Sequence, residues 1–286
     1  MTTRVSISRG CGRWLVAASL GLSLGLGNLA WAQQAPGPDW WTAISQDDVS
    51  TTTGLLLRNV DPNAFNKMGN PALIQAARDQ SWKVFDVLRV TPGVKIDEPN
   101  AHNETALMYL SIEGQTQRAE ALIAAGAQVN RLGWTPLHYA ASKGRVEVAK
   151  MLLAHQAIVN APGPDGTTPL MMAALSGNQA MVDLLLAHGA DPTMFNLAHE
   201  TAADFARKRK YTNLAQSLDD AAAQRQAERQ LGVDSNAPAK LPDAGAPAST
   251  AAGSQGTPVA PPSKGTDDKS SFSRYFDLEQ SSEPTR

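Results

Sequence analysis

Residues 133–141, Gly-Trp-Thr-Pro-Leu-His-Tyr-Ala-Ala (GWTPLHYAA), place a Trp, a Thr, a His and a Tyr within six consecutive positions. Taken alone, the cluster suggests an active site. Set beside residues 166–174, GTTPLMMAA, it becomes one copy of a repeating unit. The frame extends over 133–161 and 166–194, continues upstream through 103–131 and more loosely 69–97, and keeps its first half over 199–218. The anchor positions Leu73, Leu107, Leu137, Leu170 and Ala203 stand 34, 30, 33 and 33 residues apart.

Within one unit, Leu137, Ala140, Ala141, Val148, Leu152 and Leu153 recur at three- and four-residue spacing. That spacing predicts two short helices, broken at Gly144. Pro136 suits a first helical position, where a missing N–H costs nothing, and Thr135 suits the cap before it. Gly189 follows Asp-Leu-Leu-Leu-Ala-His as a helix-ending Gly. Each unit has apolar residues on too many sides to stand alone, so neighbours must stack to bury them.

The period and the Thr-Pro-Leu-His motif resemble the ankyrin family over about 69–218. The resemblance implies an all-α solenoid of helix-turn-helix units joined by short β-hairpin fingers. The units read as an N-terminal linker and capping unit (33–68), repeats at 69–102, 103–132, 133–165 and 166–198, and a C-terminal capping unit with a polar helix (199–232). The last unit is expected to lose its apolar second helix.

The resemblance also assigns roles. Thr135, Pro136, Leu137 and His138, with Thr168, Pro169 and Leu170 in the next copy, become structural motif positions. His138 is then a structural histidine bonded to Thr135 and neighbouring backbone. Partner contacts map onto Arg78, Asp79, Glu104, Ile112, Glu113, Trp134, Ser142, Lys143, Asp165, Thr167, Leu175 and Ser176. Ile112, Trp134 and Leu175 are expected as apolar anchors, because an apolar side chain at such a position has no evident core role. Trp134→Ala is accordingly expected to weaken partner capture and leave stability little changed.

Two intervals depart from 33. The 34-residue one adds a residue around Thr91-Pro92-Gly93, a turn that tolerates insertion. The 30-residue one removes three residues between Asn130 and Thr135, which predicts a stubby finger at 131–134 and a notch beside it.

The motifs offer little chemistry. His155 and His188 are equivalent positions, and stacked helices about 8–10 Å apart hold them too far from each other to share one zinc. Neither a metal-site spacing nor a nucleophile-elbow, P-loop or dinucleotide pattern occurs. The reading is a non-enzymatic protein with no metal and no cofactor. Paired Asp47-Asp48 and Asp219-Asp220 read as solvated faces, and the basic run Arg207–Lys210 as a solvated cap or a patch for an acidic partner.

Both ends differ from the repeats. Arg4, Arg9 and Arg13, an apolar run from Trp14 to Leu26 and the small-x-small Ala30-Trp31-Ala32 make residues 1–32 a secretory signal peptide. A monomer in the periplasm or secreted is the expectation, free of the membrane after cleavage. Removing 1–32 takes three arginines and no acidic residue, leaving 22 basic against 27 acidic residues and a net charge of −5. That balance argues against nucleic acid or anionic lipid as partner. The lone Cys11 falls in the leader, which excludes disulfides and thiolate ligands from the remainder. Residues 233–286 are rich in Pro, Ala, Ser and Gly and read as a disordered tail. Its segment 271–281 carries Phe272, Tyr275, Phe276 and Leu278 at the spacing of a short amphipathic turn. A protein partner is therefore expected. An associated enzyme subunit, or a scaffold autoinhibited by this aromatic segment, is the alternative. Exported bacterial ankyrin proteins are associated with oxidative-stress defence, including support of a periplasmic catalase, which the resemblance extends to this chain only by analogy.

Overall fold

The structure, a computed structural model, describes residues 35–232. The expected signal peptide 1–32, the expected disordered tail 233–286 and its aromatic segment 271–281 lie outside the described residues. Among the described residues twelve helices form six pairs: α1 (Pro38–Ser45) with α2 (Val49–Leu57), α3 (Ala72–Arg78) with α4 (Trp82–Val90), α5 (Ala106–Glu113) with α6 (Thr116–Ala124), α7 (Pro136–Ser142) with α8 (Val146–Ala154), α9 (Pro169–Ser176) with α10 (Gln179–Ala187), and α11 (Ala202–Lys208) with α12 (Thr212–Gln230). Each odd-numbered helix packs on the next odd-numbered one, from α1 to α11. Among the even-numbered helices α2 packs on α4, α6 on α8 and α8 on α10, which makes the fold two layers deep.

Apart from α12, these helices are only 7–9 residues long. Isolated helices shorter than about 12–15 residues are marginal in water, so burial must supply the stability. It does so in the first layer: all seven residues of α7 are buried, as are Pro169 to Ala174 of α9. Thr105, Thr135, Thr168 and Thr201 stand as N-caps in extended conformation, and Pro136 and Pro169 open their helices as the motif requires.

A left-handed residue separates the two helices of every pair. Asp47, Gln80, Gly114, Gly144, Gly177 and Lys210 have φ of 54°, 57°, 75°, 62°, 72° and 64°. Only three of them are Gly. The other three accept a conformation that disfavours a Cβ by roughly 1–2 kcal/mol, which is why the mid-unit Gly marked just half the units in the sequence. Both terminal pairs share this geometry. The turn of the first pair is also tied to the second, since the Asp47 carboxylate accepts from the Val84 N–H at 2.8 Å.

Two details differ from the expected architecture. The fingers carry no named strand among the described residues, only isolated bridges from Phe65 to Pro71 and from Phe195 to Thr201. A side chain organises the tips instead. Asn66, Asn100 and Asn196 each accept, through Oδ1, the N–H groups two and four residues on, at 2.9–3.0 Å. Such an Asx turn holds a short loop without a ladder. Second, the last pair keeps an apolar start to its second helix: Leu214, Ala215 and Leu218 are buried before α12 turns polar. Arg229, near its end, reaches back to pair with Asp191 and donates to Thr193 Oγ1 at 3.0 Å.

Candidate protein-interaction surface

The two-layer packing consumes most of the apolar side chains and leaves a line of accessible polar ones. Asp79, Glu113, Lys143, Ser176 and Arg209 stand at the C-terminal end of successive first-layer helices, one per unit. Asp79 and Arg209 are exposed, and the three between are half-buried. Gln80 Nε2 donates to Glu113 Oε2 at 3.0 Å across the first rung. The line runs from two carboxylates to Lys143 and Arg209, acidic at one end and basic at the other. Arg78, Asp165 and Leu175 are also accessible.

Four expected contact residues are not available in this way. Ile112 is buried, and Arg145 Nε donates to its carbonyl at 2.9 Å, so its side chain belongs to the core. Ser142 is buried and donates its hydroxyl to the Tyr139 carbonyl at 2.8 Å. Arg78 and Leu175, at the equivalent positions of α3 and α9, stay accessible, so the burial of Ile112 and Ser142 is particular to their units. Glu104 and Thr167 close the base of their fingers, where their carbonyls accept from Asn100 N and Gly163 N. Buried Glu104 accepts from Tyr109 Oη at 2.7 Å, Tyr139 Oη at 2.8 Å and Asn100 Nδ2 at 2.8 Å. Its carboxylate joins the second and third repeats.

Trp134 shares that finger-base position but remains partly accessible, and what is corrected is the expectation that its side chain has no core role. It is half-buried, with its ring edge-on to His138 at 5.2 Å between centroids and 89° between planes. The ring also lies against Gly163, where an added Cβ would come within 2.9 Å of Trp134 Cζ3. In three other fingers the residue equivalent to Gly163 is the organising Asn. The shortened finger has no such residue, and Trp134 fills space that a side chain at 163 would need. Finger-to-finger backbone bonds, Ala101 N to Gly69 O at 3.1 Å and Leu197 N to Asp165 O at 2.8 Å, tie the outer fingers in pairs. At the short finger Arg131 instead donates to Asn103 Oδ1 at 3.1 Å.

His138 is fully buried and has no access to a substrate. Its Nε2 lies 3.0 Å from the Thr167 carbonyl of the next repeat, so this nitrogen carries the proton. Nδ1 then accepts from Thr135, 3.2 Å from its N–H and 2.9 Å from its hydroxyl oxygen. One neutral tautomer satisfies both sides. Burial pushes its pKa down to about 4, outweighing the pull of the Thr167 carbonyl and of Asp165. His155 and His188 are exposed, and no group of three or more His, Cys, Asp or Glu among the described residues is placed to hold a metal ion. In the basic run, Arg207 pairs with Asp204 and Asp219, and Lys208 pairs with Glu200.

Several accessible apolar residues escape the sequence reading. Leu132, at the tip of the short finger, is 95% exposed. Phe65 and Met68 on the first finger and Phe195 and Leu197 on the last are also exposed. With Trp41, Pro36 and Pro38, the first pair lines a groove of about 610 Å³ that also takes in Lys67, Gln75 and Asp79. The available signal was a large apolar residue beside an Asn-Gly turn, as in Phe65-Asn66-Lys67-Met68-Gly69.

Among the described residues no helix is long and apolar enough to cross a membrane. A sequence model of ankyrin repeats matches residues 74–162 and 130–196. One chain of a solved complex, that of the Bd0816 predatory endopeptidase from Bdellovibrio bacteriovorus with the immunity protein Bd3460, is 27% identical to this chain. The match covers 64% of this chain and 98% of the other, with a TM-score of 0.56. Periodic left-handed turns, paired short helices and these matches agree: residues 74–196 are ankyrin repeats.

Proposed function

We propose that the protein is an exported, non-enzymatic, monomeric binding module that holds a protein partner along the line Asp79, Glu113, Lys143, Ser176 and Arg209 and on the adjoining fingers. The observation that carries this reading is the line itself: an accessible polar side chain at the C-terminal end of each first-layer helix from α3 to α11, graded from acidic to basic, with α3, α5, α7 and α9 otherwise mostly buried. A partner with the opposite gradient would be steered and oriented by it. The leader at 1–32 supports delivery to the periplasm or beyond.

A peptidase is the partner class favoured by a specific observation, the solved complex of an endopeptidase with an immunity protein. A catalase rests on the family resemblance alone. The test compares tagged wild-type chain with the Glu113→Lys/Lys143→Glu variant, both recovered from the envelope of the native host. We expect the variant to lose a discrete partner by roughly tenfold at unchanged thermal midpoint, since reversing both charges turns attraction into repulsion. An identical set of co-purifying proteins would contradict the proposal. Export is checked separately, by fractionation and by whether the mature chain begins at Gln33.

A further inference from the structure

The groove at the N-terminal end of the stack differs in chemistry from the charged line. Its walls are Pro36, Pro38, Trp41, Phe65 and Met68, and its polar members include one cation, Lys67, and one anion, Asp79. Its volume of about 610 Å³ falls within the ~300–1,000 Å³ typical of clefts that hold a ligand-sized group. Nothing in the first pair fills it: Trp40 is spent in the core, while Trp41 turns a partly exposed ring edge-on to it at 6.5 Å. The site therefore suits an apolar segment that carries charges of both signs.

We propose that this groove is the docking site for the chain's own segment 271–281, Ser-Phe-Ser-Arg-Tyr-Phe-Asp-Leu-Glu-Gln-Ser. Phe272, Tyr275 and Phe276 have the i, i+3, i+4 spacing by which a single helical turn presents one face to a groove. Between and beside them, Arg274 matches Asp79 and Asp277 matches Lys67. Between Gly232 and Ser271 lie 38 residues, which span ~125 Å fully extended and ~31–37 Å as a flexible coil. Six helix pairs at ~8–10 Å each put the two ends of the stack ~40–50 Å apart. The tether is long enough for docking within one chain, at the high effective concentration of an intramolecular contact. Asp79 belongs to both groove and charged line, so the docked segment covers the acidic end of that line. Docking itself does not depend on the proposed partner.

The test uses the purified full chain, with a photo-crosslinking amino acid in place of Met68. The expected product is an adduct within a single chain, joining position 68 to residues 271–281. The same probe at Leu57, a far more exposed residue on α2, should give none. Phe272→Ala/Phe276→Ala should lower the yield roughly tenfold through lost apolar burial. Arg274→Glu should lower it roughly threefold, the scale of an exposed ion pair, and adding Asp79→Arg should restore it. Absence of an adduct to 271–281, an adduct joining two copies, equal yield from Leu57, or failure of the charge swap to restore would each overturn the proposal. No partner takes part in this measurement, so its failure leaves the partner reading standing and the converse also holds.

Discussion

His138 shows how much a single side chain can couple in a repeat protein. Equivalent positions in neighbouring units hold Met108 and Met171, whose sulfurs lie 3.4 Å from the capping Thr N–H. Only His138 also reaches the next repeat, through the Thr167 carbonyl. Its depressed pKa makes this link sensitive to acid. The unfolded chain binds a proton at His138 below about pH 6.5, and the folded chain does not until about pH 4. The contribution is therefore complete above pH 6.5 and is lost as pH falls through that window, by up to about 3 kcal/mol. His138→Met should flatten the dependence of stability on pH between 6.5 and 4. At pH 7.5 it should cost about 1 kcal/mol, because the Thr167 carbonyl loses one of its two donors and keeps the Gly163 N–H. Denaturant titrations of both proteins across that range check this, and an unchanged slope in the variant would refute the assignment. Asp48, held below its usual range by the Thr51 hydroxyl and N–H, and Asp204, held low by the Thr201 N–H first, should bring further acid loss only at lower pH.

At the level of elements, the short finger and its neighbour behave as one packing unit. Trp134→Ala should cost about 2 kcal/mol through the lost ring contacts, contrary to the expectation of little change that a purely exposed anchor would carry. Gly163→Ala should also destabilise, since its Cβ meets both the Trp134 ring at 2.9 Å and the Thr167 carbonyl oxygen at 3.1 Å. In the Trp134→Ala background the second cost should shrink, giving a coupling of about 1 kcal/mol in a double-mutant cycle. Strict additivity would show that the two residues do not share this space. At the second finger, Tyr139→Phe removes one of the hydrogen bonds that hold buried Glu104 and should cost about 1–2 kcal/mol, measured as a shift in denaturation midpoint. These couplings were invisible in the sequence for a physical reason. Spacing identified the finger-base positions, but whether Glu104, Thr167 or Trp134 faces out or in depends on residues 29 to 35 positions away. The helix pairs were legible because each carries its own signals, Thr-Pro at the start and periodic apolar residues within. Where a unit dispensed with Gly at its left-handed turn, as at Asp47, Gln80 and Lys210, the local signal weakened and only the period remained. The apolar start of α12 was lost in its polar remainder for a similar reason.

Across the whole molecule, stability and recognition draw on different residues. The inner first-layer helices α3, α5, α7 and α9 give most of their side chains to the core, and the caps at either end close it with Trp40 and Ile44 on one side and Leu214 and Leu218 on the other. What remains accessible is the charged line, the finger tips and the groove of the first pair. That division is why a cluster such as GWTPLHYAA looked functional in sequence and proves structural, while unremarkable residues such as Glu113 and Lys143 carry the proposed recognition. The most direct test places a photo-crosslinking residue at Lys143 on the line, or at Glu147 or Asp183 on the exposed outer helices α8 and α10, in otherwise native full chain within its own cells. The account predicts one discrete protein adduct from position 143 and none from 147 or 183. Equal labelling from all three positions, or a discrete adduct only from the outer helices, would contradict it.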